Sequence, residues 1–348
     1  MSGSPLLDLA AGVYTLIIDV EFDSVPAYSF RLRDLSAATP LTLGTTVSST
    51  LSPGNETDLY QFTVSAGERY YFDYINASST YWRLLDPWGG QALVPNLMIS
   101  DRGPITLALA GTYTLLIEGG ISNSTASNYS FKVQKITDQT IPLPDPLGVT
   151  VDGAIDHVGQ RDLYTFTLNE AKHVYMDKLS RNDLTWQLIG PLGNVEGGQS
   201  FFATNDTAGY DLPAGDYTLV LKGNSDFVGS YSFRLLDFSS ALPLTTGTPV
   251  SSQLNHAYKT DLYQFTATAG EQYYVDYQGG TPYAYADWSL IDPWGRRLLG
   301  PTPMLFGDLG LLNIAVTGTY TLVISGTSGV SSVDYSFNVC LLYTSRCV

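Results

Sequence analysis

Thr57–Thr63 reads TDLYQFT, the same seven residues return at Thr260–Thr266, and between them Arg161–Thr167 reads RDLYTFT. The identical pair lies 203 positions apart. Inside the stretch and its continuation, Tyr60, Phe62 and Val64 fall on one face of an extended chain and Leu59, Gln61 and Thr63 on the other. A period of two is the mark of a half-buried β-strand. Each stretch is therefore read as a strand entered through an aspartate.

Other landmarks keep the same spacing. G-x-Y-T places Tyr14, Tyr113, Tyr217 and Tyr320 at intervals of 99, 104 and 103, and Y-S-F places Tyr28, Tyr129, Tyr231 and Tyr335 at 101, 102 and 104. Trp82, Trp186 and Trp288 fall between them, with DPWG at Asp86–Gly89 and Asp292–Gly295 and GPLG at Gly190–Gly193. A period near 100 is too long for a solenoid unit and suits one autonomous domain. The expected organisation is residues 1–38 as the C-terminal part of a truncated repeat, followed by whole repeats at 39–137, 138–240 and 241–339. The segment after Tyr28 resembles that after Tyr231 far more than that after Tyr129, so the repeats alternate as A-B-A-B and 203 is two domain lengths.

Each whole repeat reads as six to eight short alternating strands, separated by turn signals such as SAGE (Ser65–Glu68) and DPWGG (Asp86–Gly90). No segment sustains a helical apolar period. The fold class expected is all-β: tandem antiparallel β-sandwich, jelly-roll-like domains of about 100 residues. Proline-bearing linkers such as LSAATPLTLG (Leu35–Gly44) suggest a semi-rigid string of domains.

Composition narrows the function. The 348 residues carry 17 Lys+Arg against 33 Asp+Glu, a formal charge of -16, which disfavours nucleic acid and anionic membrane as partners. No run of about 18 apolar residues is present to span a membrane. The final residues, CLLYTSRCV, fit no repeat; CLLYTS resembles the translation of a sequencing-library adapter, and 340–348 is read as a non-native tail. The alternative is a genuine tail with a Cys340–Cys347 disulfide.

The order D-L-Y-x-F-T, A-G-E, L-x-D-P-x-G, G-x-Y-T-L-x-I-x-G and Y-S-F resembles the bacterial pre-peptidase C-terminal domain family along nearly the whole chain. That resemblance implies jelly-roll-like sandwiches attached to secreted proteases or repeated in large surface proteins, assisting secretion or binding substrate. Related collagen-binding modules hold calcium through an acidic, Asn-rich linker. The linkers DLSAATP, ITDQTIPLPDP and DFSSALP lack that cluster, so neither a metal nor any other cofactor is expected.

No catalytic constellation stands out: G-x-S-x-G, H-E-x-x-H, the Walker loop and the EF-hand spacing are all missing. His157, His173 and His256 are read as solvated loop or surface residues. Asp58, Asp162 and Asp261 are either carboxylates offered to a cation or acceptors of backbone N–H groups at strand entry. The best binding candidates are Tyr71 with Asp73, Tyr175 with Asp177 and Tyr274 with Asp276, which alternation turns outward in mid-strand. One reading is a stacking platform for polysaccharide or matrix protein. The other is a Tyr covered by a neighbouring loop or domain, with the Asp solvated or paired to Arg or Lys. The chain is expected to be a non-catalytic extracellular or cell-surface spacer and adhesion scaffold, alongside further domains of the same protein. The alternatives are ligand-binding modules or the accessory region of a secreted protease.

Overall fold

The computed structural model describes residues 6–19, 27–145, 147–202, 209–256, 258–281, 285–327 and 331–342. The chain packs as two compact units, Met1–Thr137 and Asp138–Val348.

The first unit holds one sandwich. Its five-stranded sheet runs in the order Thr39–Pro40, Thr57–Val64, Gly111–Gly119, Thr80–Leu85, Gln91–Leu97. Its four-stranded sheet runs Thr46–Leu51, Ser127–Ile136, Glu68–Ala77, Arg102–Leu107. The second unit repeats this plan twice, with Arg161–Leu168 and Thr260–Ala267 in the place of Thr57–Val64. The one departure from antiparallel pairing recurs in all three: the linker strand (Thr39–Pro40, Gln139–Pro142, Leu242–Pro243) lies parallel to the D-L-Y strand. Proline is tolerated there because the strand is at a sheet edge. Counting it, each described repeat has nine strands, one more than the sequence suggested.

The cores follow the period-two reading. Tyr60, Phe62, Val64, Phe72, Trp82, Leu115, Ile117 and Phe131 share one buried cluster in the second repeat. Tyr164, Trp186, Leu219 and Phe233 belong to the cluster of the third repeat, and Tyr263, Trp288, Leu322 and Phe337 to that of the fourth.

The segment 1–38 behaves differently from the three sandwiches. Its described residues form no strand, and Tyr14, Leu16, Tyr28, Phe30 and Leu32, which alternation would turn into a core, are all exposed. One local feature survives: the Tyr14 hydroxyl donates to the Ala10 carbonyl at 2.8 Å. Tyr217 and Tyr320 make the same bond to Pro213 and Val316, at 2.7 and 2.8 Å. It spans four residues and needs no tertiary partner.

At the other end, the last strand is Val333–Leu341, so Cys340 and Leu341 pair with Tyr274 and Tyr273 in the ladder. Cys347 lies outside the described residues.

Candidate functional site

The Tyr-x-Asp positions do lie on the outer face of each four-stranded sheet, but that face is not open to solvent. Tyr71 is 8% exposed and Tyr175 3%, while Tyr274 is half-buried. The exposed-ring premise of a stacking platform fails at Tyr71 and Tyr175, where the alternative of a covered Tyr holds, and the cover differs between repeats. In the second repeat Asp101 accepts the Tyr71 hydroxyl at 3.2 Å and the Tyr74 backbone N–H at 2.7 Å. In the fourth, Asp308 accepts the Tyr274 hydroxyl at 2.6 Å and the Tyr277 N–H at 2.8 Å. The recurring Tyr is a clasp that ties a loop carboxylate to the strand. The hydrogen bond to Asp308, ahead of burial, pushes the Tyr274 hydroxyl above its ordinary pKa.

The recurring Asp has a cross-strand answer. Asp73 lies opposite Lys132, which reaches it at 3.0 Å, and Asp177 lies opposite Arg234, whose Nε donates at 2.7 Å. Asp276 lies opposite Asn338 and accepts from Gln278 Nε2 at 3.2 Å. In the second and third repeats the mid-strand Asp is thus offset by a charged partner on the neighbouring strand.

Tyr175 is covered by the next repeat. With Leu236 and Phe238 of the third repeat and Ala241 at the start of the linker, it packs against Leu262, Ile291 and Val323 on the outer face of the fourth repeat's five-stranded sheet. Arg234 Nη2 also crosses to the Thr260 carbonyl at 2.8 Å, and Arg181 stacks over the Tyr258 ring at 4.5 Å. Asp237 caps the 3₁₀ turn Phe238–Ser240 through the Ser239 N–H and thereby presents Phe238. The same parts recur 203 residues earlier: Asp34 caps Leu35–Ala37, and Leu35 and Ala38 pack on Leu59, Leu85 and Leu116. Beside them Arg83 and Glu118 form a buried bidentate pair.

His173 is part of this junction rather than a solvated surface residue. Its side chain is 16% exposed, Nδ1 lies 2.7 Å from Asp211, and its ring sits 4.4 Å from that of Phe238. It abuts the DPWG turn of the fourth repeat: a Cβ on Gly295, whose φ is +76°, would lie 2.5 Å from the imidazole. His157 is half-buried beside the Val158 carbonyl, and His256 is exposed and accepts from the Tyr258 N–H at 3.5 Å.

The strand-entry aspartates serve a purpose that neither sequence reading named. Asp58 accepts the hydroxyl of Tyr129 at 2.6 Å, and Tyr129 is in turn 2.6 Å from the hydroxyl of Tyr60. Asp261, Tyr335 and Tyr263 repeat the chain at 2.8 and 2.7 Å. Asp162 accepts from Tyr231, which lies 2.8 Å from Tyr164. The D-L-Y and Y-S-F motifs are thus two halves of one Tyr–Tyr–Asp bridge between the sheets. Burial first, and the carboxylate or neighbouring phenol next, raise the Tyr129, Tyr231 and Tyr335 hydroxyls well above the usual phenol range. A phenol so placed donates a proton and keeps it; it is a structural donor.

Turn carboxylates are equally occupied. Asp86 Oδ1 accepts the Trp88 and Gly90 N–H groups, both at 2.8 Å, and Asp292 Oδ1 those of Trp294 and Arg296, both at 2.9 Å. Glu68 of SAGE takes the Ser65 N–H, the Tyr70 hydroxyl and Lys135 Nζ at 3.0, 2.8 and 2.6 Å. The Lys135 hydrogen bond leads in holding the Glu68 carboxyl down at about 2. Among the described residues no three His, Cys, Asp or Glu side chains gather as a metal-binding group.

The chain matches no family model and no curated protein. Among solved structures it is similar to the pre-peptidase C-terminal domain of a collagenase from Bacillus anthracis, with 21% identity, 29% of this chain, 95% of that one and a TM-score of 0.24. A periplasmic inhibitor of g-type lysozyme from Aeromonas hydrophila matches with 15% identity, 28% of this chain, 95% of that one and a TM-score of 0.23. A Paenibacillus xanthan lyase matches with 12% identity over 87% of this chain, 34% of its own and a TM-score of 0.18. Likeness at this level carries no weight for activity.

Proposed function

We propose that this chain is a non-catalytic, load-bearing spacer within a larger extracellular protein, its repeats serving to hold other domains at a distance. One observation carries the reading: the polar residues that recur from repeat to repeat are engaged in holding the fold. The strand-entry Asp is bound to a buried Tyr, the turn Asp to backbone N–H groups, and the outer-face Tyr to a loop carboxylate or the next repeat. Repetition of a catalytic or ligand-binding group would instead leave a polar atom aimed at open space. The acidic, lysine-poor surface suits a chain that stays soluble in an extended array.

Pulling the whole chain by its two ends tests this. Each sandwich should resist and then yield in one step, releasing about 100 residues or roughly 330 Å of chain. Three such steps support the spacer reading. Smooth extension at low force, with no discrete steps, would sink it.

A further inference from the structure

One repeat has given up an aromatic ring that the other two keep. In the second and fourth repeats Phe62 and Phe265 are sealed between two tyrosines. Tyr70 and Tyr273 lie against them at 5.3 and 5.2 Å, and Tyr113 and Tyr320 stack on them at 6.2 and 5.8 Å. The hydroxyls of Tyr70 and Tyr273 then reach Glu68 and Glu271, two residues back at the turn, at 2.8 and 3.0 Å. The third repeat keeps the stacked pair, Phe166 on Tyr217 at 5.2 Å, but has Val174 where the others have Tyr and Lys172 where they have Glu. The ion pair across the strands is reversed with it: Glu68–Lys135 at 2.6 Å becomes Lys172–Asp237 at 2.6 Å.

The loss leaves room. Phe166 is half-buried, where Phe62 and Phe265 are buried, and it sits in the wall of a cleft of about 440 Å³. Leu143, Leu147 and Leu168 supply more apolar wall, and Lys172, Asp237 and Glu170 stand at its polar side. The cleft opens at the end of the strand where the tyrosine hydroxyl is bound in the other repeats, because Lys172 occupies the position of Glu68. It is of the size that holds small ligands, and its apolar wall faces a comparable share of polar and charged side chains.

We propose that this cleft of the third repeat receives a tyrosine side chain presented by a partner protein, the ring that the second and fourth repeats supply from their own strand. The phenol ring lies against Phe166, Leu143 and Leu147. Its hydroxyl accepts from the Lys172 ammonium and donates to a neighbouring carboxylate, Asp237 or Glu170. A phenylalanine would bring no hydroxyl to the Lys172–Asp237 pair, and a sugar ring would set hydroxyls against the leucines. Tyrosine combines an apolar body with one polar tip, which is why it serves as an anchor at interfaces.

The test is a titration of the whole chain with N-acetyltyrosinamide, followed by amide and methyl NMR shifts, with N-acetylphenylalaninamide and methyl glucoside as comparisons. Shifts confined to the residues around Phe166, with the tyrosine compound binding about tenfold tighter than the phenylalanine one, support the proposal. Val174→Tyr refills the space and should abolish those shifts. Leu147→Glu, at a half-buried wall position, should abolish them without touching the strand and serves if Val174→Tyr does not fold. Tyr70→Val should create the same response in the second repeat. The proposal is overturned if the tyrosine compound shifts nothing at millimolar concentration, if the shifts survive both third-repeat substitutions, or if methyl glucoside shifts the site and the tyrosine compound does not.

Discussion

Tyr231→Phe removes one oxygen atom and should be among the costliest conservative changes in the chain. Its hydroxyl donates to Asp162, which is only 1% exposed and also accepts from Gln160 Nε2 at 2.7 Å. The phenylalanine ring still fills the core between Tyr164 and Phe233, so little packing is lost. What is lost is a hydrogen bond to a carboxylate that water cannot easily replace, and with it the partner of the Tyr164 hydroxyl. Such a loss costs about 2–4 kcal/mol, at the upper end for a buried charged acceptor. For a domain of this size that is a fall of about 1–2 M in urea midpoint. Tyr129→Phe in the second repeat is the built-in comparison. Asp58 has a side chain 25% exposed, with Arg33 at 3.7 Å, so water can take the vacated place and the cost should be about 1 kcal/mol. The double variant Tyr231→Phe with Asp162→Leu should recover part of the loss, since no buried carboxylate is then left short of a donor. The assay is urea unfolding of the whole chain, followed by tryptophan fluorescence and by hydrogen exchange of each repeat. The bridge reasoning fails if Tyr231→Phe unfolds within about 0.5 kcal/mol of the parent, or if Tyr129→Phe costs more than Tyr231→Phe.

Three further outcomes are expected. Val323→Asp buries a charge against Tyr175 and Phe238, so calorimetry of the whole chain should show the third and fourth repeats melting separately where the parent melts them together; unchanged coupling would mean the cluster does not join them. Glu68 has a folded pKa of about 2, below its unfolded value near 4.3. Its contribution is therefore present above about 4.3 and lost as pH falls through about 2, and Glu68→Gln should flatten that part of the acid stability profile of the first unit. The bridge phenols Tyr129, Tyr231 and Tyr335 are shifted the other way. Their contribution is complete below the unfolded phenol value of about 10 and declines above it, so stability should fall steeply in alkali and less so in Tyr335→Phe.

Much of the fold was legible because it is local. The alternation of Tyr60, Phe62 and Val64 states which side chains share a face, and the interval between copies states the size of a domain; neither depends on what lies elsewhere. The hydrogen bond from Tyr14 to Ala10 forms even in a segment with no sheet, for the same reason. What the alternation of Tyr71, Tyr175 and Tyr274 could not state was whether the outward face meets water. Period two reports the pleat of one strand, while burial is a sum over everything that packs on it: Asp101, 30 residues on from Tyr71, in one repeat, and the Leu262–Val323 face of the next domain in another. The Tyr129–Asp58 bridge spans 71 positions. Both motifs were visible, but only the closure of two sheets brings a carboxylate in one to a phenol in the other. The third repeat makes the same point at its cleft. The change from Tyr and Glu to Val and Lys stands in the sequence at 174 and 172, yet it becomes an opening only because the register sets Asp237 and Phe166 around the space the ring has left.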